Sequence, residues 1–171
     1  MHRVLIIGSA GAGKSTLARH LGERWGLPVV HLDALYWRPG WVETPPDEFD
    51  PIIQDALRKD VWIMDGNYSR TLAMRLAAAD TVIYLDLPRR LCLWRVLKRG
   101  IQYRGRTRPD MGQGCREKPA DGEFLRWIWN YPIRSRPKVL QMLEEQGQGK
   151  TIVRLTSPAQ VRQFLRSLDG R

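Results

Sequence analysis

The chain is 171 residues long, with 43% hydrophobic residues and a formal charge of +10, enough for one α/β domain that buries roughly two-thirds of its unfolded surface. No apolar run approaches the ~20 residues of a membrane span, and Met1-His-Arg-Val leads straight into a strand pattern, so no signal peptide is expected. Two cysteines make neither a disulfide framework nor a four-ligand zinc site, so disulfide-stapled and membrane-spanning classes are excluded and a cytoplasmic protein without membrane contact is expected.

The first strand is expected over about residues 3–7, apolar on both faces as a buried parallel strand is. It runs into Gly8-Ser9-Ala10-Gly11-Ala12-Gly13-Lys14-Ser15-Thr16, and Leu17, Ala18 and Leu21 then begin a helix that lasts to about Trp25. Strand, G-x-x-x-x-G-K-S loop and helix in that order define a phosphate-binding P-loop, and with it a bound nucleoside triphosphate. Gly8, Gly11 and Gly13 permit positive φ, which turns successive N–H groups toward phosphate oxygens at a helix N-terminus. Lys14 supplies a point charge for the β and γ oxygens, and the Ser15 hydroxyl supplies a ligand for Mg²⁺.

Leu27–Leu32 reads as a second strand that delivers Asp33 to the C-terminal sheet edge, where ligands gather in open α/β sheets. Residues 34–46 are too rich in proline and aromatics for a regular element; Tyr36, Trp37 and Trp41 either floor an acceptor pocket or pin this loop to the domain. Asp47 is placed as the cap of a helix to about Lys59, with Phe49, Ile52, Ile53, Ala56 and Leu57 at helical spacing. A third strand, Val61–Met64, brings a second carboxylate, Asp65, to the same edge, followed by Gly66-Asn67-Tyr68 and a helix from Arg70 to near Asp80. Thr81–Leu85 is the fourth strand; Asp86 follows it as a turn carboxylate or a metal partner.

A helix after Pro88 carries Arg95 and Arg99 at i,i+4. Tyr103–Pro119 is basic and punctuated by glycine, the pattern of a mobile flap, and holds Cys115 in what reads as a polar loop. Helical pattern resumes from Asp121 to about Gln146, disturbed at Tyr131-Pro132 and presenting Arg134 and Arg136. A strand at Thr151–Leu155 and a helix at Pro158–Leu168 end the chain. Residues 87–138 hold 14 Lys/Arg against 4 Asp/Glu, whereas the rest of the chain holds 14 of each. Eight cations between Arg89 and Arg108 have no acid among them, so an anion is expected there: a bound triphosphate, or a nucleic-acid backbone on the block 89–138.

Through these motifs the chain resembles the small P-loop kinases of the adenylate, shikimate and gluconate kinase type. More closely it is similar to the bacterial DNA topology modulation proteins, or adenylate kinase-like ATPases, through Gly8–Thr16, His31-Leu-Asp33-x-x-Tyr-Trp37, Asp65-Gly-Asn-Tyr68, Arg95-x-x-x-Arg99 and Arg104-x-Arg-x-Arg-Pro-Asp110. The resemblance implies a single P-loop NTPase three-layer sandwich over 1–171, with a five-stranded parallel sheet, an acceptor side at about 34–60 and a lid at about 103–120. It implies an ATP- and Mg²⁺-dependent phosphotransferase acting on a small nucleotide or hydroxyl acceptor. Lys14 and Ser15 match its phosphate and metal residues, Arg95 an arginine lying against adenine, Arg99 one contacting phosphate, and Asp65-Gly66 a pair whose Asp orients Mg²⁺-bound water. Asn67-Tyr68-Ser69-Arg70 departs from the Phe-Pro-Arg of nucleotide kinases.

A hydroxyl acceptor needs a carboxylate to take its proton, and Asp33 is either that base or a turn cap. Asp33, Tyr36, Trp37, Asp65 and Gly66 are the expected acceptor residues, with Arg134 joining Arg95 and Arg99 on the migrating phosphoryl group. His31, between apolar neighbours, is expected to be packed and without chemistry.

Overall fold

In the computed structural model, which describes residues 1–169, β1 (Arg3–Gly8) leads through the glycine loop into α1 (Lys14–Trp25). β2 (Val29–His31), α2 (Leu32–Tyr36), β3 (Trp37–Arg38), β4 (Val42–Glu43) and α3 (Pro46–Leu57) follow. Next come β5 (Trp62–Asp65), a 3-10 turn at Ser69–Thr71, α4 (Leu72–Ala78), β6 (Thr81–Leu85) and α5 (Arg89–Gln102). After a long irregular flap, α6 (Gly122–Arg134), α7 (Arg136–Gln146), β7 (Thr151–Leu155) and α8 (Pro158–Asp169) complete the chain.

The main sheet is five-stranded and parallel, in the order β2-β5-β1-β6-β7, with β1 at its centre. Successive side chains of a strand point to opposite faces, and here both faces are covered. Leu5, Ile7, Trp62, Met64, Val82 and Tyr84 pack against α3, α4 and α7. Val4, Ile6, Ile63, Ile83 and Leu85 pack against α1, α5, α6 and α8. Burial of each such side chain contributes roughly 1.5–3 kcal/mol, and the layers fix the C-terminal ends of β1, β2 and β5 beside one another.

Several sequence expectations are corrected. Asp33 lies in the first turn of α2, not at a strand end, and residues 34–46 do contain regular structure: the end of α2 and a two-residue-by-two-residue hairpin, β3 on β4. Elements this short have no periodicity to betray them. Pro46 starts α3 after Pro45, so Asp47 sits in the first turn and caps nothing. The chain passes Pro132 as helix and breaks at Ser135.

Asp86 is a structural carboxylate. Arg136 Nε donates to its Oδ1 at 2.9 Å, and Arg154 Nη2 to its Oδ2 at 2.6 Å, so the residue ties α7 to β7. No described helix is long and apolar enough to cross a membrane.

Candidate active site

The loop after β1 takes the shape that its glycines allow. Gly8, Gly11 and Gly13 have φ of 146°, 76° and 97°. Gly11 packs so closely on α5 that a Cβ would lie 2.2 Å from the carbonyl oxygen of Cys92. Gly11→Ala therefore meets two penalties at once, a left-handed backbone and a main-chain clash. Its expected cost is about 2–5 kcal/mol in denaturant unfolding, with weakened nucleotide binding, because loop and helix must separate.

Lys14 leaves the loop at the start of α1 and donates from Nζ to the Ser9 carbonyl at 3.0 Å. Burial lowers its pKa, while the charges of Asp33 and Asp65 act to raise it. Ser15 Oγ donates to Asp65 Oδ2 at 2.7 Å, joining the first helix to the tip of β5. The other Asp65 oxygen, Oδ1, lies 2.5 Å from His31 Nδ1, which must carry the proton. Burial works against a charged imidazole here, but the hydrogen bond and charge of Asp65 outweigh it and raise the His31 pKa. His31 is thus a site residue that the sequence reading assigned to packing. The register His31↔Asp65 across β2 and β5 brings the two together, and sequence alone does not give that register.

Asp33 accepts a hydrogen bond from the Tyr68 hydroxyl at 2.7 Å, and the buried phenol is pushed well above its usual range by desolvation and that neighbouring charge. Tyr68 is itself held from below by Arg75, a fully buried side chain. Arg75 donates to the carbonyls of Gly66 at 3.0 Å and Tyr68 at 2.5 Å and to Thr71 Oγ1 at 3.1 Å. Burial draws its pKa down to about 10, which leaves it charged at neutral pH. No motif singled out this residue; it looks like any helical arginine in the sequence.

Lys14, Ser15, Asp33 and Tyr68 open into one cavity of about 1240 Å³, while Asp65, His31 and Arg75 stand behind its wall. Its lining takes in Gly11, Gly13, Lys14, Ser15 and Thr16 from the loop and α1, Asp33, Tyr36 and Trp37 from the acceptor side, and Arg95 and Arg99 from α5. Arg95 Nη1 donates to the Ala12 carbonyl at 3.0 Å, so this arginine lies on the glycine loop. Burial lowers the Arg99 pKa, and its Nε donates to Glu117 Oε1 at 2.9 Å. Arg108 reaches the other oxygen of Glu117 and Asp110 Oδ2, each at 2.9 Å. Carboxylates from the flap thus meet two members of the cationic run.

Arg134 and Gly66 lie elsewhere, and buried Asp65 reaches the cavity only through Ser15. Arg134 ends α6, exposed and outside the cavity lining; Arg136, two residues on, turns to Asp86. Gly66 does not line the cavity either: with φ of 148° it lets the end of β5 pack on α2, and a Cβ there would lie 2.7 Å from that of Leu32.

The flap is folded against the hairpin. Gly40 N–H donates to the Gly114 carbonyl at 3.2 Å, and Trp41 Nε1 to the Arg116 carbonyl at 2.7 Å. Cys115, expected in a polar loop, is fully buried with its sulfur 3.5 Å from the Trp37 and 3.2 Å from the Arg38 carbonyl oxygen. Trp41 adopts a left-handed φ of 67°, held by these contacts and by its ring against Trp37 at 5.5 Å. The aromatics of this segment therefore both line the cavity and pin the segment.

A five-stranded parallel sheet with helices on both faces, and a glycine loop between its central strand and the next helix, is the P-loop NTPase sandwich. Among solved structures the chain is similar to a shikimate kinase from Acinetobacter baumannii in complex with shikimate, at 17% identity and a TM-score of 0.58, over 99% of this chain and 94% of that one. It is also similar to a deoxyadenosine kinase from M. mycoides with bound dATP, at 15% identity and a TM-score of 0.53, over 97% and 98% of the two chains. No family model and no curated protein matches the sequence. At such identities the likeness is one of fold.

Proposed function

We propose that this protein is an ATP-dependent phosphotransferase that moves the γ-phosphoryl group of Mg-ATP to a small acceptor. The observation that carries the reading is one cavity lined by Lys14, Ser15, Asp33 and two arginines of α5, with Asp65 behind the wall on the Ser15 hydroxyl. Phosphoryl transfer needs positioning and neutralised charge more than covalent chemistry. The loop amides and Lys14 hold the triphosphate, and Arg95 and Arg99 face the transferring group. Ser15 would hold Mg²⁺ through its hydroxyl oxygen, and Asp65 would hold water bound to the ion. When bound, the ion screens the charge on the phosphate oxygens. His31 holds Asp65 from the far side, so one carboxylate oxygen stays on Ser15.

Segment 34–60 is the acceptor side and 103–120 the lid, whose backbone bonds to the hairpin exclude water that would otherwise take the phosphoryl group. Asp33 stands where a hydroxyl acceptor loses its proton, with Tyr68 fixing its orientation. The two similar solved structures named above are both kinases, which favours the same class here.

The test is incubation with labelled ATP and Mg²⁺, a panel of nucleotides, nucleosides and hydroxyl compounds, and product analysis. Label is expected on an acceptor rather than only in inorganic phosphate. Asp33→Asn is expected to lower kcat by about 10²–10⁴-fold, with Mg-ATP affinity unchanged in a calorimetric titration. Equal turnover in the variant would remove the base from the mechanism.

A second reading, a nucleotide-switched protein that binds DNA or RNA, matches the resemblance to topology modulation proteins. Exposed Trp129 and Trp94 in the basic block favour it: Arg89 lies 3.9 Å above the first ring and Lys98 5.1 Å above the second. Binding of this kind weakens steeply with log salt; a flat slope sets it aside.

A further inference from the structure

Away from the glycine loop the cavity is walled by aromatic rings. Trp41 meets Trp37 at 5.5 Å, Trp37 meets Tyr36 at 5.0 Å, and Tyr36 meets both Tyr68, at 4.8 Å, and Phe49, at 5.1 Å. Asp33 lies at the head of this row, with Oδ1 on the Tyr68 hydroxyl and no partner for Oδ2 among the described residues. Glu43 and Asp110 also line the cavity.

The cations on this side are already matched. Arg70 donates to Asp50 at 2.5 Å, and Arg108 is shared between Asp110 and Glu117 at 2.9 Å each. Arg75 lies beneath the wall, fully buried, with its donors on Gly66, Tyr68 and Thr71. The remaining lining cations besides Lys14 belong to the nucleotide side: Arg95 on the glycine loop, Arg99 on the same α5 face one turn later, Arg19 on the α1 face that carries Thr16, and Lys118, whose backbone lies beside Gly100 of α5.

We infer that the acceptor is an uncharged or cationic alcohol with a ring or other apolar face, and not one that bears a phosphate or carboxylate; this rests on the phosphotransferase reading above. An anionic acceptor would be brought against Asp33 and Glu43, with Asp110 already paired to Arg108 and no unpaired guanidinium to receive it, and like charges in a desolvated site repel strongly. Aromatic faces, by contrast, take apolar ring surfaces and attract cations. The free oxygen of Asp33 then meets either the acceptor hydroxyl or, beside it, an ammonium group.

The experiment uses pairs that share a skeleton and differ in charge: adenosine with AMP, glucosamine with glucuronate, and shikimate methyl ester with shikimate. ADP release with Mg-ATP is measured above the acceptor-free rate, and Mg-ATP binding is measured separately by calorimetry. In every pair that supports transfer, kcat/KM is expected to be about tenfold or more higher for the neutral or cationic member. Preference for the anionic member in any pair overturns the inference. Asp50→Asn, which releases Arg70, is expected to narrow the ratio by about tenfold; an unchanged ratio means that the Arg70–Asp50 pair does not set acceptor charge, and overturns this part of the assignment. Firm Mg-ATP binding with transfer to no member of any pair is a different failure. It overturns the phosphotransferase reading itself and the acceptor class with it.

Discussion

Lys14→Ala is expected to lower turnover by about 10²–10³-fold or more and to weaken Mg-ATP binding sharply, while leaving thermal stability unchanged or slightly raised. The two halves of this expectation have one origin. Lys14 is half-buried in the cavity wall, its pKa is lowered by desolvation there, and its one hydrogen bond is to the Ser9 carbonyl within the same loop. Without a polyphosphate the ammonium is a partly desolvated cation whose burial outweighs the charges of Asp33 and Asp65, so its removal is expected to cost the fold little. With polyphosphate bound, it is the charge on which the β and γ oxygens depend. A thermal melt beside a calorimetric titration separates the two. Retained affinity and rate would mean that the loop is not a nucleotide site, and loss of the folded transition would mean that Lys14 is structural.

Arg75→Met has the largest expected effect on folding, about 3–5 kcal/mol in denaturant unfolding. Three acceptors lose their donor, and two of them, the Gly66 and Tyr68 carbonyls, belong to the turn that leaves β5. Lysine is expected to recover only part of the loss, because a single ammonium does not reproduce a planar fork that reaches three acceptors. The consequence extends to the cavity. Tyr68 holds Asp33, so a slackened turn frees the carboxylate as well, and acceptor turnover is expected to fall further than Mg-ATP affinity in any Arg75 variant that still folds.

The central architecture was readable because it is written in local signals. Val4–Ile7, Trp62–Met64 and Thr81–Leu85 are apolar on both faces, as strands covered on both sides must be, and the spacing of Gly8, Gly13, Lys14 and Ser15 is set by the backbone of a single loop. The acceptor side was not readable, because distant contacts build it. The β3–β4 hairpin closes on a flap more than seventy residues away, through Trp41 with Arg116 and Cys115 with Trp37 and Arg38. His31 gains its partner through strand register, and Arg75 through the path of the turn above it. Arg134 failed for the opposite reason. An arginine at a helix end points where the next element sends it, and the break at Ser135 turns Arg136, not Arg134, toward the domain.

The pairing of Asp86 with Arg136 and Arg154 has a consequence for how a divalent ion would reach the protein. With that carboxylate engaged by two guanidinium groups, the edge beside the glycine loop keeps Asp65 and Ser15 as a bare two-oxygen rest, and the described residues contain no cluster of three metal-ligating side chains. Magnesium sheds its hydration shell reluctantly and is seldom retained by so few protein atoms. On the proposed reading such a cation would arrive and leave with the nucleotide, so the resting protein is expected to purify free of it and chelators to leave its fold untouched.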